Sequence, residues 1–183
     1  MTSNRPFRFG LFCGQGADSR QAWADKARAV EAAGFSTLLL GDHLPFSLAP
    51  VAGLMAAANA TTTLRVGTAV FGNDFRHPVF LAREAATLDR LSDGRFEFGL
   101  GTGWYHLDYE QSGMPLDAPG IRVSRLEEAV KVIKGFFGEQ PFDFDGAYYK
   151  TRGLKGVPRP VQKPYPPLVI GGGSRRVLSL AGR

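Results

Sequence analysis

Short, continuous apolar runs alternate with amphipathic segments along most of the chain. Apolar runs of this length, without polar residues at every second position, are typical of parallel strands buried on both faces. They predict five strands, at residues 7–13, 37–41, 64–71, 95–100 and 168–170. The intervening segments carry apolar residues at helical spacing and predict helices at 20–33, 48–59 and 78–91, a further helix marked by 126–137, and a last one that begins near Arg175.

Residues at the ends of these segments supply helix start and stop signals. Asp18 and Ser19 offer an N-cap for the first helix, and Gly34 follows where a C-terminal cap belongs. Ser124 and Glu127 have the spacing of a capping box for the later helix. His77 precedes Pro78 and is expected to start the third helix. The five prolines between Pro158 and Pro167 predict a loop.

Strands that alternate with helices predict parallel βαβ units. Such units build either a doubly wound open sheet or a (β/α) barrel, and periodicity alone does not separate the two. A closed barrel needs eight strands and about 250 residues, whereas this chain has 183 residues. We therefore expect one domain that contains five βα units and is too short to close.

The chain carries a net charge of +5, and this positive charge is concentrated in one segment. Residues 150–183 contain eight Lys or Arg and no acid, which leaves 14 basic residues against 17 acidic ones in the remainder. The segment lacks interleaved aromatic residues and a recognition-helix pattern, so we expect no nucleic-acid binding. It is either a solvated loop or the basic mouth of a phosphate-binding site.

Apolar and cysteine content limit the remaining classes of function. No apolar run approaches the roughly 18 residues that cross a bilayer, and no signal peptide is recognised, which predicts a cytoplasmic protein without membrane contact. The single Cys13 cannot form an internal disulfide. The three histidines are spread along the chain, so we expect no metal site.

Candidate chemistry lies where the predicted strands end, because the loops after parallel strands converge at one edge. His43 follows the second strand and is suited to proton transfer, and Asp42 beside it could orient a ring or simply cap the strand end. Gly171–Gly173 and Ser174 open a helix, which suits either a phosphate or a tight turn. His106 is expected in a loop with Trp104, Tyr105 and Tyr109, as an aromatic wall or as packing. Gly99, Gly101 and Gly103 lack the register of a dinucleotide fingerprint.

Several sequence stretches, in this order and spacing, resemble one known superfamily over essentially the whole chain. They are VEAAGF at 30–35, GDHL at 41–44, ATTTLRVGTAV at 60–70, FRHPVFLAREAATLDRLSDGRFEFGLGTGW at 75–104 and RPVQKPYPPLVIGGGS at 159–174. The chain resembles the luciferase-like monooxygenases. Residues 73–89 and 159–167 are most similar to the group that depends on the deazaflavin coenzyme F420.

This resemblance implies a TIM-type (β/α) barrel with a flavin or deazaflavin ring at the C-terminal mouth of its strands. It implies that Asp42 and His43 contact the ring, and that 67–70 form the wall behind it with a non-proline cis peptide near Ala69 and Val70. Thr102 and Gly103 would lie along the cofactor tail, and Gly171, Gly172, Gly173 and Ser174 would hold its phosphate.

The activity that the resemblance implies is hydride transfer between coenzyme F420 and a small organic substrate, with His43 as the catalytic proton partner. Two alternatives stay open: an FMN-dependent monooxygenase that activates oxygen, and an inactive barrel remnant or fragment. Trp104 stands where sugar-phosphate dehydrogenases of the superfamily have a glutamate, so that activity is not expected. About three further βα units are expected after Arg183. An open five-stranded sheet favours pairing with a partner chain, such as a homodimer.

Overall fold

The computed structural model describes residues 7–45 and 48–183. Its strands are β1 (Gly10–Phe12), β2 (Thr37–Leu40), β3 (Arg65–Thr68), β4 (Phe71–Gly72), β5 (Phe96–Gly101), β6 (Phe142–Asp145), β7 (Lys150–Leu154) and β8 (Leu168–Gly171). Its α-helices are α1 (Arg20–Ala32), α2 (Pro50–Ala60), α3 (Pro78–Leu91), α4 (His106–Ser112), α5 (Pro119–Phe137) and α6 (Arg175–Ala181), and a 3-10 turn spans Asn73–Phe75.

The main sheet is entirely parallel. Its order is β1, β2, β3, β5, and the last of these also pairs with β4 and β8. Val66 of β3 pairs with Phe96 at the start of β5, and Phe71 of β4 pairs with Leu100 near its end. The strands β3 and β4 are therefore two parts of one strand, which is the third predicted strand interrupted at residues 69 and 70. The sheet has the five parallel strand positions that the apolar runs predict.

The core lies between this sheet and the helices that cover it. The helices α1, α2, α3, α5 and α6 pack side by side in chain order. The strand residues that face them are fully buried, among them Leu38, Leu40, Val66, Phe96 and Phe98. The indole N–H of Trp23 in α1 donates to the carbonyl of Gly53 in α2 at 2.8 Å, which satisfies the one polar atom of a buried ring.

Charged side chains close the amino-terminal edge of the sheet. The Arg65 guanidinium donates to Glu97 through Nε at 2.7 Å, and Arg8 contacts the same carboxylate. Arg95 donates to the carbonyls of Ser92, Leu64 and Ala58. These contacts join the beginnings of neighbouring strands.

The proline-rich segment 158–167 has no regular secondary structure, as predicted, and a buried carboxylate holds it in place. Asp89 in α3 is fully buried. Its carboxylate accepts the backbone N–H groups of Val161 and Gln162 at 2.6 and 2.9 Å and the side-chain amide of Gln162 at 2.6 Å. This anchor fixes the chain just before β8.

Most predicted helix ends are confirmed, and the capping box is wrong. Ser19 accepts the N–H of Ala22, and His77 caps α3 through Nδ1. Ser124, however, lies inside α5, where its hydroxyl donates to the carbonyl of Gly120 at 3.0 Å. Pro119 supplies the first residue of the helix and starts it earlier than the apolar pattern indicates.

Two elements are absent from the sequence prediction. The segment with His106 is the helix α4 rather than a loop. The strands β6 and β7 form an antiparallel hairpin, and Glu128 of α5 accepts three backbone N–H groups of its turn, from Ala147, Tyr148 and Tyr149. The alternation of Phe142, Asp143 and Phe144 is the signal that marks this hairpin.

Candidate active site

A cavity of about 400 Å3 opens at the carboxyl-terminal edge of the parallel strands. Of the residues that the resemblance assigns to cofactor binding, Asp42, His43, Ala69, Val70, Thr102, Gly103, Gly171 and Gly172 line this cavity, whereas Gly67, Thr68, Gly173 and Ser174 do not. The full lining is Asp42, His43, Ala69, Val70, Gly72, Phe75, Gly101, Thr102, Gly103, Trp104, Asp108, Gly171 and Gly172. The ends of β2, β3, β5 and β8 therefore meet at one site, as the convergence of parallel strand ends requires.

His43 is paired with a buried carboxylate across the cavity wall. Its Nδ1 lies 2.6 Å from Oδ2 of Asp108, whose side chain is 1% exposed. The other oxygen of Asp108 accepts the backbone N–H of Leu44 at 2.9 Å. A carboxylate held in this way fixes the orientation of an imidazole and selects which nitrogen carries its proton.

Aromatic rings surround the His43 imidazole. The ring centroids of Trp104 and Tyr105 lie 5.7 and 5.3 Å from it, both in edge-to-face arrangement. Trp104 remains 68% exposed although it lines the cavity. A large apolar surface left open beside a histidine is suited to contact with a ligand ring.

Asp42 also lines the cavity, but its carboxylate is fully engaged by other groups. Arg76 binds both of its oxygens, with an Nη2–Oδ1 distance of 3.1 Å. Oδ2 also accepts the backbone N–H of Gly72 at 3.1 Å. The arrangement positions Asp42 at the cavity wall, with its charge already balanced by a bidentate partner.

The back wall of the cavity is formed at the interruption between β3 and β4. The Ala69–Val70 peptide bond is cis, as the resemblance implied. The Val70 side chain fills the space that side chains at Gly101 and Gly171 would need, because a Cβ added there would lie 2.7 and 2.9 Å from its methyl carbons. A Cβ at Gly99 would lie 1.9 Å from the carbonyl oxygen of Thr68. Glycine is thus required at these positions of β5 and β8, because the interruption at Ala69 and Val70, here called the Val70 bulge, leaves no room for a Cβ.

The wall at Gly103 rests on a polar cluster beneath it. Gly103 has φ of +76°, and its carbonyl accepts a hydrogen bond from Arg122. The Tyr109 hydroxyl packs against Gly103 and donates to Asp74 at 3.0 Å. Arg125 bridges Asp74 and Asp117. Burial and the nearby Asp74 carboxylate raise the pKa of Tyr109, so its phenol remains a donor at neutral pH.

Gly173 and Ser174 lie just beyond the cavity, at the start of α6. The Ser174 hydroxyl accepts the N–H of Val177 and so caps that helix. Gly173 is exposed, and a Cβ at this position would contact nothing within 4 Å. Their assignment to a phosphate site stays a prediction.

Asp108 and Phe75 line the cavity, although the sequence did not mark them as candidates. Asp108 lies in α4, outside the strand-end positions that the sequence analysis used to select candidates.

Residues 7–45 and 48–183 contain neither a candidate metal cluster nor a candidate membrane-spanning helix. No three or more His, Cys, Asp or Glu side chains gather there in a way that could hold a metal ion. In the same part of the chain, no helix combines the length and apolar character needed to span a membrane.

Comparison with known proteins places these features in context. The family model described as "Luciferase-like monooxygenase" matches residues 5–183. The oxygenase component of a flavin-dependent trigonelline monooxygenase from Acinetobacter baylyi is 32% identical over 141 residues, which cover 75% of this chain and 39% of the relative. An F420-dependent glucose-6-phosphate dehydrogenase from Amycolatopsis mediterranei is 33% identical over 144 residues, covering 78% of this chain and 42% of the relative.

The fold is shared with a solved structure. A coenzyme F420-dependent tetrahydromethanopterin reductase from Methanopyrus kandleri aligns with a TM-score of 0.81 and 25% identity, over 96% of this chain and 52% of that chain. The expected TIM-type (β/α) architecture is confirmed for the part that the chain covers. The chain spans about half the length of this structure and less than half that of the two relatives.

Proposed function

Because the chain belongs to the luciferase-like monooxygenase family, we propose that it forms the cofactor-holding part of an oxidoreductase that uses coenzyme F420. In this proposal hydride passes between the cofactor and a small organic substrate. The observation that carries the proposal is the cavity in which the His43–Asp108 pair faces the glycine-rich ends of β5 and β8. Relatives of this family include both F420-dependent and flavin-dependent enzymes.

The residues present fit a flat, tricyclic ring. The volume of about 400 Å3 lies in the range of small-molecule pockets. Gly101, Gly171 and Gly172 carry no side chains, and the Val70 side chain packs against Gly101 and Gly171 on the same wall of the cavity. An open wall without side chains next to an aliphatic bulge suits the face of a planar cofactor.

His43 is the proposed proton partner. Its Nδ1 is engaged by the Asp108 carboxylate at 2.6 Å, so Nε2 is the nitrogen that remains to exchange a proton with bound substrate. Asp108 holds the ring in that orientation and balances the charge of the protonated form. The deazaflavin supplies two-electron hydride chemistry when it is bound, and this chain supplies the binding wall and the proton.

The lining of the cavity favours a neutral substrate. Its charged side chains are Asp42 and Asp108, and both are already paired, with Arg76 and with His43. Among the described residues that line the cavity there is no Lys or Arg that could bind a substrate phosphate. We therefore propose a substrate class other than sugar phosphates, in agreement with Trp104 at the position where such dehydrogenases carry glutamate.

The phosphate of the cofactor is assigned to Gly171–Ser174 in the same proposal. Gly171 and Gly172 line the cavity, and Gly173 is exposed beside them. Arg175 adds an exposed positive charge next to this segment. Backbone N–H groups without side-chain obstruction, near a cation, are a favourable environment for a phosphate.

A second candidate is an FMN-dependent monooxygenase. The observation that favours it is the 32% identity to a flavin-dependent trigonelline monooxygenase component, which equals the similarity to the F420-dependent relative within one percentage point. The same cavity and the same histidine would serve this activity. The two candidates differ in the cofactor that the wall accepts.

Binding titrations with each cofactor separate the two candidates. The purified 183-residue protein should quench the fluorescence of coenzyme F420 in a saturable way and bind FMN more weakly. The His43→Ala variant should keep most of this affinity, because the histidine acts on the proton. Tight FMN binding without F420 binding would overturn the first candidate in favour of the second, and binding of neither would contradict both.

A further inference from the structure

The FRHP stretch at 75–78 contributes one residue, Arg76, whose role the proposed function does not include. Its guanidinium joins the ends of two neighbouring strands, because Asp42 follows β2 and Arg76 follows β4. Both Asp42 oxygens are bound by it. The Arg76 side chain is 24% exposed and the Asp42 side chain 8%, so this ion pair is largely removed from water.

The segment between the strand end and Arg76 is folded so that the guanidinium returns to the cavity wall. A 3-10 turn at Asn73–Phe75 follows the strand end, and the Phe75 ring packs against Gly72. Gly72 donates its N–H to the same Asp42 carboxylate at 3.1 Å. The Arg76 guanidinium also lies over the Phe71 ring, 5.0 Å from its centroid. Each of these contacts fixes the direction of the guanidinium.

A third charged group lies on the outer side of Arg76. The Glu84 carboxylate of α3 is 3.5 Å from Nε. Its Oε2 is buried and forms no hydrogen bond in the described part of the chain. Arg76 therefore forms hydrogen bonds with Asp42 but not with Oε2 of Glu84, and Asp42 is its principal partner.

We propose that Arg76 is a positioning residue that neutralises Asp42 and holds the cavity wall in the geometry that accepts the cofactor. The inference rests on the proposed function for the identity of the ligand, whereas the contacts among Arg76, Asp42 and Gly72 are independent of it. Without Arg76, the Asp42 carboxylate would line the cavity with only one N–H partner. An unpaired, mostly buried carboxylate disfavours any electron-rich or anionic ring placed beside it.

The test compares Arg76→Met with the double variant Asp42→Asn/Arg76→Met. Arg76→Met should weaken cofactor binding about tenfold. Adding Asp42→Asn should restore most of the affinity, because an asparagine keeps an acceptor for the Gly72 N–H and carries no charge. Arg76→Lys should fall between wild type and Arg76→Met, since an ammonium group cannot form the two-pronged contact.

A readout without cofactor keeps the two proposals distinguishable. In the apo protein, the Gly72 amide should exchange with solvent faster in Arg76→Met than in wild type. Arg83→Met in the following helix α3 removes an exposed guanidinium and serves as the matched control, with neither measurement expected to change.

Different outcomes contradict the proposed function and the role of Arg76. If wild type binds neither cofactor, the proposed function fails, and the Gly72 exchange rate alone decides the role of Arg76. Unchanged exchange and affinity in Arg76→Met overturn the inference. A double variant as weak as Arg76→Met overturns it as well, because Arg76 would then act through packing or through Glu84 rather than through the charge of Asp42.

Discussion

The amino-terminal and carboxyl-terminal edges of the parallel sheet differ in the residues that form them. At the amino-terminal edge, charged side chains bind one another and the backbone, as Arg65 binds Glu97 and Arg95 binds three carbonyl groups. At the carboxyl-terminal edge, the wall is glycine backbone and partly exposed aromatic surface, with Trp104 68% exposed. At the amino-terminal edge, the polar groups form hydrogen bonds within the protein. The carboxyl-terminal edge leaves surface free for a ligand. In parallel (β/α) folds, ligand sites lie at this edge, and the amino-terminal edge contributes to stability.

The largest expected effect comes from removing the Asp89 carboxylate near the amino-terminal edge. Asp89→Ala leaves the N–H groups of Val161 and Gln162 without their acceptor, and we expect the free energy of unfolding to fall by about 3 kcal/mol. Urea unfolding measures it, with the exposed Asp18→Ala as control. The affinity of the folded fraction for cofactor should not change. A loss below about 1 kcal/mol would show that this edge does not depend on the anchor.

The next effect is on turnover at the carboxyl-terminal edge. His43→Ala should lower turnover about 100-fold, and Asp108→Asn should lower it less, because the asparagine still occupies the space but no longer balances charge. Steady-state kinetics with the cofactor that binds gives both values, and thermal unfolding checks that the fold is intact. Equal turnover in wild type and His43→Ala would remove the histidine from its role.

A smaller effect comes from adding one methyl group to the cavity wall. In Gly101→Ala the new Cβ would lie 2.7 Å from a Val70 methyl carbon, so the bulge must shift, and cofactor affinity should fall about tenfold. Gly120→Ala is the matched control, because a Cβ there meets nothing within 4 Å and the residue lies in a helix. If both variants bind alike, the wall is less tightly packed than the Val70 contacts indicate.

The smallest effect is a pH dependence on the amino-terminal side. The Glu31 carboxylate accepts the backbone N–H groups of Thr63, Leu64 and Thr62 just before β3, and these bonds lower its pKa from 4.5 to about 2. Its stabilisation is complete above pH 4.5 and is lost as the pH falls toward 2. Solvent screening limits it to about 1 kcal/mol. Glu31→Gln should remove this part of the acid dependence, and an unchanged pH profile of unfolding would contradict the assignment.

Sequence patterns predicted those features that are encoded by residues close to one another in the chain. The apolar runs located the strands of the sheet, and the strand-end rule placed Asp42 and His43 at the cavity. Asp108 was missed because its link to His43 spans 65 positions and no local pattern announces it. The Ser124–Glu127 capping box was wrong because a proline earlier in the chain already starts the helix. Contacts that depend on tertiary packing override such short signals.

The Asp89 anchor has a consequence for how the motions of the molecule would be mapped. The segment 158–167 contains no helix or strand, and a segment of that kind usually exchanges its amide protons quickly. The N–H groups of Val161 and Gln162 nevertheless end on a carboxylate that water does not reach. Their protons are released only when α3 and the loop separate. A deuterium-uptake map would therefore group Val161 and Gln162 with the slow central strands rather than with the surface loops.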